Sequence, residues 1–330
     1  TLSPLQALVA NVIPRDVGDT NEDGRLELLT QVGGATLLLE QGPADAFPTQ
    51  ERFVDTTGLS RPSAVDAVWG GRLTDLDRDG QGEILAHNRT RWRVLEWNGT
   101  TYDEVARLVN PTGADAADPA VDANGFQQPL AVVEDFDGDG RTNVLVGDND
   151  GDWIVYEATG NDRFETVWTH ETDRIDGGAR FASGDFDGDG NPDVVTYTQN
   201  LPILTADGAR EPPIGVYYFW ESQADDRFLL RQAIPVRGSN SSHGALTSAD
   251  FDSDGQDEVA IVHPPNLFVL GVSSDNDWHV RYHRGIATAP DAGLRSASLV
   301  AADFTGNGAP ELLAATADAR LHLWQYQAPA

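Results

Sequence analysis

At 330 residues the chain is long enough for a large core, and its formal net charge of −31, from 53 acidic against 22 basic residues, sets a field that repels nucleic acid and anionic membrane. All 22 basic residues are Arg, and the absence of Cys excludes disulfide and thiol chemistry. No apolar run approaches the roughly 18 residues of a spanning helix, so membrane insertion is not expected. With no Met in the chain, Thr1 is not an initiator, as expected of a processed or trimmed form. A Lys-free, Asp-rich balance suits a salty medium, and a biased genomic composition explains it equally well.

From the N-terminus onward one pattern returns six times. Oxygen-bearing side chains stand at its positions 1, 3 and 5, a Gly at 6, and an acid or amide at 9. Loop one is Asp19, Asn21, Asp23, Gly24 and Glu27, and loop two is Asp75, Asp77, Asp79, Gly80 and Glu83. Loop three is Asp135, Asp137, Asp139, Gly140 and Asn143, and loop four is Asp185, Asp187, Asp189, Gly190 and Asp193. Loop five is Asp250, Asp252, Asp254, Gly255 and Glu258, and loop six is Asp303, Thr305, Asn307, Gly308 and Glu311. First positions are 56, 60, 50, 65 and 53 residues apart, a repeat in phase and not a chance run of acids.

The alternation is that of a calcium loop. A tight loop turns every second side chain inward, Gly permits a turn that a β-carbon would hinder, and the ninth residue closes the cage. Up to six Ca²⁺ are expected, and six would leave a net charge of about −19. Loops two, four and five supply four acidic ligands each, whereas loop six keeps only Asp303 and Glu311 as acids. Clustered carboxylates repel unless a cation neutralises them, so the expected role is structural: the ion pins a strand connection.

Short β-branched or Leu-rich runs flank each loop and read as strands. Before loops come Leu130 to Val133 and Ala245 to Thr247; after them come Leu26, Leu28 and Leu29, then Ile84-Leu85, Val144 to Val146, Val194-Val195, Val259, Ile261 and Val262, and Leu312-Leu313. A third strand follows at 36–39, 91–97, 153–156, 216–220, 267–270 and 321–326. A polar turn then leads into an aromatic residue that opens a fourth strand: Phe53, Tyr102, Phe164, Phe228 and Trp278. No stretch carries a helical apolar stripe.

Four strands per repeat of 50 to 65 residues is the arrangement of a β-propeller blade. The chain resembles the FG-GAP and VCBS-type calcium-loop propellers, the group that includes integrin alpha-chain heads and several secreted lectins. The resemblance is carried by the six loop motifs and implies that each loop joins the first and second strands of its blade. The expected fold is therefore all-β: one domain over residues 1–330, a six-bladed propeller of four-stranded antiparallel blades, one calcium loop per blade. The last blade runs out of chain where its fourth strand should begin. Residues 4–9 are the candidate replacement, closing the ring; pairing of the open edge with a neighbouring molecule is the other possibility.

Extra length falls near 41–50, 110–128 and 200–214, and long loops on a rigid scaffold often carry binding. No G-x-S-x-G, H-E-x-x-H, P-loop or dinucleotide fingerprint occurs, so no catalytic residue is assigned. The seven His are scattered; His279 and His283, four apart in a strand, would lie roughly 13 Å apart, too far for one metal. Trp92, Trp97, Trp153, Trp168, Trp220, Trp278 and Trp324 are expected chiefly to pack between blades, with sugar stacking the other use. Sequons at Asn88, Asn98 and Asn240 are explained by chance. The expectation is a secreted or surface-exposed, non-catalytic module that binds a glycan or an extracellular protein. A structural subunit of an extracellular filament or assembly, self-associating through the incomplete blade, comes second, and a polysaccharide lyase or hydrolase third.

Overall fold

The structure, a computed structural model, describes residues 12–32, 35–42, 48–55, 71–88, 91–113, 125–126, 131–148, 151–172, 176–199, 203–204, 210–211, 214–237, 245–263, 266–273, 277–285, 298–315 and 321–325. It is all-β, with no helix among the described residues, and its fold class is the six-bladed β-propeller. Two compact units divide the chain: Thr1–Glu134 with Gly140–Asp173, and Asp135–Asp139 with Arg174–Ala330.

The first unit holds three four-stranded antiparallel sheets. Blade one is β1 (Val12–Gly18), β2 (Glu27–Val32), β3 (Ala35–Gln41) and β4 (Pro48–Asp55). Blade two is β5 (Gly71–Thr74), β6 (Glu83–Asn88), β7 (Arg91–Trp97) and β8 (Tyr102–Val109). Blade three is β9 (Val132–Glu134), β10 (Asn143–Gly147), β11 (Trp153–Gly160) and β12 (Arg163–His170).

The second unit repeats the plan. Blade four is β13 (Asp176–Gly184) and β14 (Asp193–Gln199), then, past a small hairpin of β15 (Ile203–Leu204) and β16 (Arg210–Glu211), β17 (Ile214–Gln223) and β18 (Arg227–Arg237). That hairpin is what the inserted length near 200–214 builds. Blade five is β19 (Ala245–Ala249), β20 (Glu258–His263), β21 (Asn266–Val272) and β22 (Trp278–Gly285). Blade six is β23 (Ser298–Ala302), β24 (Glu311–Ala315) and β25 (Leu321–Gln325), three strands among the described residues. Residues 4–9, expected to complete it, lie outside the described residues, as does most of the 110–128 connection.

Second and third strands read as continuous apolar runs because both their faces are covered. Every residue of β10 and β20 is buried, as are the first six of β11. Fourth strands are outermost; most of β12 and β22 is exposed or half-buried. Facing sheets of consecutive blades build the core. Leu85, Trp92 and Val94 meet Val144 and Ile154 in one cluster, and Val195 and Phe219 meet Val259 and Ile261 in another. Trp92 and Trp153 are fully buried and Trp220 nearly so, so these three are core residues.

One irregularity recurs. Where the fourth strand pairs with the third, the register slips by one residue in blades one to five. The slip leaves Arg52, Val105, Val167, Arg231 and Arg281 without a partner across the ladder. Such a bulge re-aims the extra side chain and increases the local twist. The fourth-strand aromatic opens β8 and β22 as expected and is second in β12 and β18, whereas Phe53 lies inside β4, which starts earlier, at Pro48.

Candidate metal centre

Each loop joins the first strand of a blade to the second, and its ninth residue opens that second strand: Glu27, Glu83, Asn143, Asp193, Glu258 and Glu311. All six are buried, none more than 4% exposed. In loops one, two, five and six the ninth side chain reaches back into the loop from this strand position. One of its oxygens accepts the N–H of the loop's second residue: Thr20 to Glu27 (2.7 Å), Leu76 to Glu83 (2.5 Å), Phe251 to Glu258 (2.9 Å) and Phe304 to Glu311 (2.8 Å).

The exposed half of the loop is held by its own acids. The first-position carboxylate accepts the N–H of the position-six Gly, as in Gly24 to Asp19 (2.9 Å), Gly80 to Asp75 (3.1 Å), Gly190 to Asp185 (3.0 Å) and Gly255 to Asp250 (3.0 Å). The third position accepts from the fifth in loops one to four: Asn21, Asp77, Asp137 and Asp187 from Asp23, Asp79, Asp139 and Asp189. Gly at six has φ between +83° and +95° in all six loops, a left-handed conformation that a β-carbon penalises. The fourth position is left-handed too, at Glu22, Arg78 and Ser253 as well as at three Gly, a demand the motif does not announce.

In loop two, ligand atoms of Asp75, Asp77, Asp79 and Glu83 all lie within 4.8 Å of one another. Three carboxylates converge equally closely in loop three (Asp135, Asp137, Asp139), loop four (Asp185, Asp187, Asp189) and loop five (Asp250, Asp252, Asp254). Glu27 Oε1, Asp75 Oδ1 and Glu83 Oε1 are buried and meet no hydrogen-bond donor. Burial, reinforced by neighbouring carboxylates, pushes the acids of Glu83 and Asp193 up to about 8, that of Glu258 to about 7, and raises Glu27 and Asp187. Oxygen-only donors, negative charge in excess and orphaned buried oxygens are what a hard divalent cation such as Ca²⁺ satisfies, so the residues present fit that ion.

Loop six differs. Thr305 Oγ1 and Asn307 Nδ2 both donate to Glu311 Oε1, at 2.7 and 3.3 Å. Its other expected ligand, Asp303, is exposed and held below the usual carboxylate range by the N–H groups of Gly308 and its neighbours.

A further acid stands on the third strand of each of the first four blades and was not singled out by the motif. Opposite the ninth residue, on the third strand, stand Glu40, Glu96 and Glu157, and in blade four Glu221 follows Trp220, the partner of Val194. Glu40 pairs with Arg25 and Arg52, Glu157 with Arg141, and Glu221 with Arg231. Although burial pushes the Glu40 carboxyl up, hydrogen bonds from Arg52 and Arg25 bring it below its ordinary value. Glu96 faces acids: burial and the charges of Asp162, Asp79 and Asp77 raise it to about 7. The available signal was a Glu at the end of the third strand, 13 residues beyond Glu27 and Glu83 and 14 beyond Asn143.

The described His side chains do not assemble a centre. His87 packs edge-on against Trp92 at 4.8 Å, His263 Nδ1 meets the Tyr217 hydroxyl at 3.2 Å, and His283 Nε2 meets Asn266 Oδ1 at 2.9 Å.

Three comparisons bear on kinship. A family model described as FG-GAP-like repeat matches residues 135–196, from loop three through β10 to the strand after loop four. No curated protein matches the sequence. Among solved structures, the Dos1 propeller aligns with a TM-score of 0.56 at 11% identity, over 94% of this chain and 67% of that one. BBS1N, determined in complex with ARL6DN, aligns with a TM-score of 0.55 at 10% identity, over 94% and 78%. The periplasmic gluconolactonase PpgL of Pseudomonas aeruginosa aligns with a TM-score of 0.49 at 12% identity, over 96% and 74%. At such identities the likeness is one of fold. With the loop geometry and the matched repeat together, the chain is a β-propeller that carries an FG-GAP-like repeat at residues 135–196.

Proposed function

We propose that the acidic loops bind Ca²⁺ and that the chain is a secreted or surface-exposed, calcium-stabilised binding module for an extracellular protein or a glycan. The observation that carries the calcium assignment is loop two, where four carboxylates converge within 4.8 Å and two of their buried oxygens meet no donor. Asp75, Asp77, Asp79 and Glu83 would hold the ion there, and the corresponding residues would hold it in loops one, three and four. The ion supplies the positive charge that lets buried carboxylates ionise; the chain supplies fixed strand ends and loops already bent to receive it. Loops of this kind on extracellular modules work at calcium concentrations on the order of 10⁻⁴–10⁻³ M, which is why the extracellular side is the proposed location.

Binding as the use of the fold is supported by BBS1N, a propeller determined with a protein partner. The test is a glycan array in calcium buffer, run beside affinity capture of extracellular proteins on the immobilised, calcium-loaded chain. Saturable binding that disappears on chelation is the expected result. No binding on either, together with polymer formation by the chain itself, rejects it in favour of a structural subunit. That second function is favoured by β25, which has no fourth strand beside it among the described residues and exposes half of Leu323.

A further inference from the structure

Loop five differs from the other acidic loops in what already sits inside it. The Arg281 guanidinium lies among its ligands, with Nη1 2.5 Å from Asp252, 2.5 Å from Glu258 and 3.2 Å from Asp254. Positions three, five and nine of the loop thus share one nitrogen. Only 14% of the Arg281 side chain is exposed, and Glu258 is fully buried. A second nitrogen, Nη2, donates to the Val272 carbonyl at 3.3 Å, fixing the fork.

The origin of this arrangement is a paired departure from the repeat. Arg281 is the bulged residue of β22, equivalent to Arg52 of β4 and Arg231 of β18. Those two turn to the third-strand acids Glu40 and Glu221. In blade five the residue equivalent to these acids is Gly271. No carboxylate is there to hold the arginine, and no side chain stands in its way. A β-carbon on Gly271 would come within 2.2 Å of Arg281 Nε, so the path into the loop exists because this residue is Gly.

We propose that Arg281 is a resident counter-ion that takes the cation position of loop five, so that this loop draws its positive charge from the chain itself and does not take up Ca²⁺ in the native protein. A guanidinium and a divalent ion cannot share the oxygens of Asp252, Asp254 and Glu258. Arginine keeps its charge at any pH a protein meets, and its planar fork of donors suits several carboxylates at once. Blade five therefore keeps its first strand connection closed when calcium is withdrawn, while loop two, where four carboxylates converge within 4.8 Å, opens. The inference rests on the calcium assignment proposed above for the other loops.

The test is calcium stoichiometry on the full chain, by equilibrium dialysis against ⁴⁵Ca²⁺ and by native mass spectrometry. Three proteins are compared: wild type, Arg281→Gln and Gly271→Ala. The Ala variant keeps the arginine but crowds it out of the loop, so it serves if Arg281→Gln fails to fold. Each variant is expected to bind one more Ca²⁺ than wild type. Each is also expected to melt lower than wild type in chelator and to recover on adding calcium. Equal uptake by wild type and both variants, with calcium bound, overturns the role of Arg281 and leaves the calcium assignment standing. No uptake by any of the three overturns the calcium assignment and this inference with it.

Discussion

The ring of Phe228, at the start of β18, lies edge-on against Phe136, the second residue of loop three, with ring centroids 5.3 Å apart. The same relation recurs one blade later, where Trp278 of β22 meets Phe186 of loop four at 5.1 Å. In blade two it becomes polar: the Tyr102 hydroxyl meets Thr20 Oγ1 of loop one at 2.5 Å. In these three cases the fourth strand of one blade covers the acidic loop of the blade before it. The acidic loops are consequently tied to the packing of the sheets, and disturbance of one should be felt by the other.

Phe186 is fully buried under Trp278, whereas Phe304, its counterpart in loop six, is 46% exposed. Phe186→Ala is expected to cost about 3–5 kcal/mol, from lost transfer energy and the cavity left behind. Phe304→Ala is expected to cost less than about 1 kcal/mol. Urea unfolding of both variants in calcium measures this; equal costs would contradict the asymmetry.

Metal-free stability should fall as pH rises. Burial pushes Glu83 and Asp193 up to about 8, so between the ordinary carboxylate range and about pH 8 the folded chain binds more protons than the unfolded one. Stability contributed by those protons is full below the unfolded pKa and is lost as pH climbs through the folded value. Calcium requires the ionised forms and so acts in the opposite sense. The gap in Tm between calcium-saturated and metal-free protein should widen from pH 5 to pH 8, and a gap independent of pH would count against the loops. Glu83→Gln, which mimics the protonated acid, should raise the metal-free Tm at pH 8 and shrink the gain from calcium.

Consecutive loops lean on one another through small residues. Gly82, next to the last ligand of loop two, donates its N–H to the Thr20 carbonyl of loop one at 3.0 Å. A β-carbon there would fall 2.4 Å from Thr20 Cα. Because the obstacle is backbone, Gly82→Ala should cost about 1–3 kcal/mol, the range for overpacking. Gly113→Ala, with no atom within 4 Å of the added carbon, should stay within about 0.5 kcal/mol. Thermal melts of the pair decide it.

The arginine clamp on Glu40 should matter more than surface ion pairs. Glu40 has a fully buried side chain served by Arg25 and Arg52, whereas Arg227 and Asp225 are 72% and 84% exposed. Arg52→Ala leaves a buried carboxylate with one partner and should cost about 1–3 kcal/mol. Arg227→Ala should cost less than about 0.5 kcal/mol. Denaturant unfolding at moderate salt separates them.

The six loops and the strands beside them were legible from residue types alone because their determinants are local. Ligands at positions 1, 3, 5 and 9 sit within nine residues, and the left-handed Gly, the ninth residue that opens a strand and the apolar run behind it are consecutive in the chain. What the folded chain alone decided is how each loop's charge is met. Glu40, Glu157 and Glu221 have arginines, Glu96 faces Asp162, and loop five contains Arg281. Those outcomes depend on a one-residue slip between third and fourth strands and on a missing side chain at Gly271. Residues 250 to 258 spell a calcium site as well as any of the six, yet the group that fills it arrives from β22. Spacing along a sequence records what neighbours can do together; which distant side chain reaches the same oxygens is set by strand register and by the space left between strands.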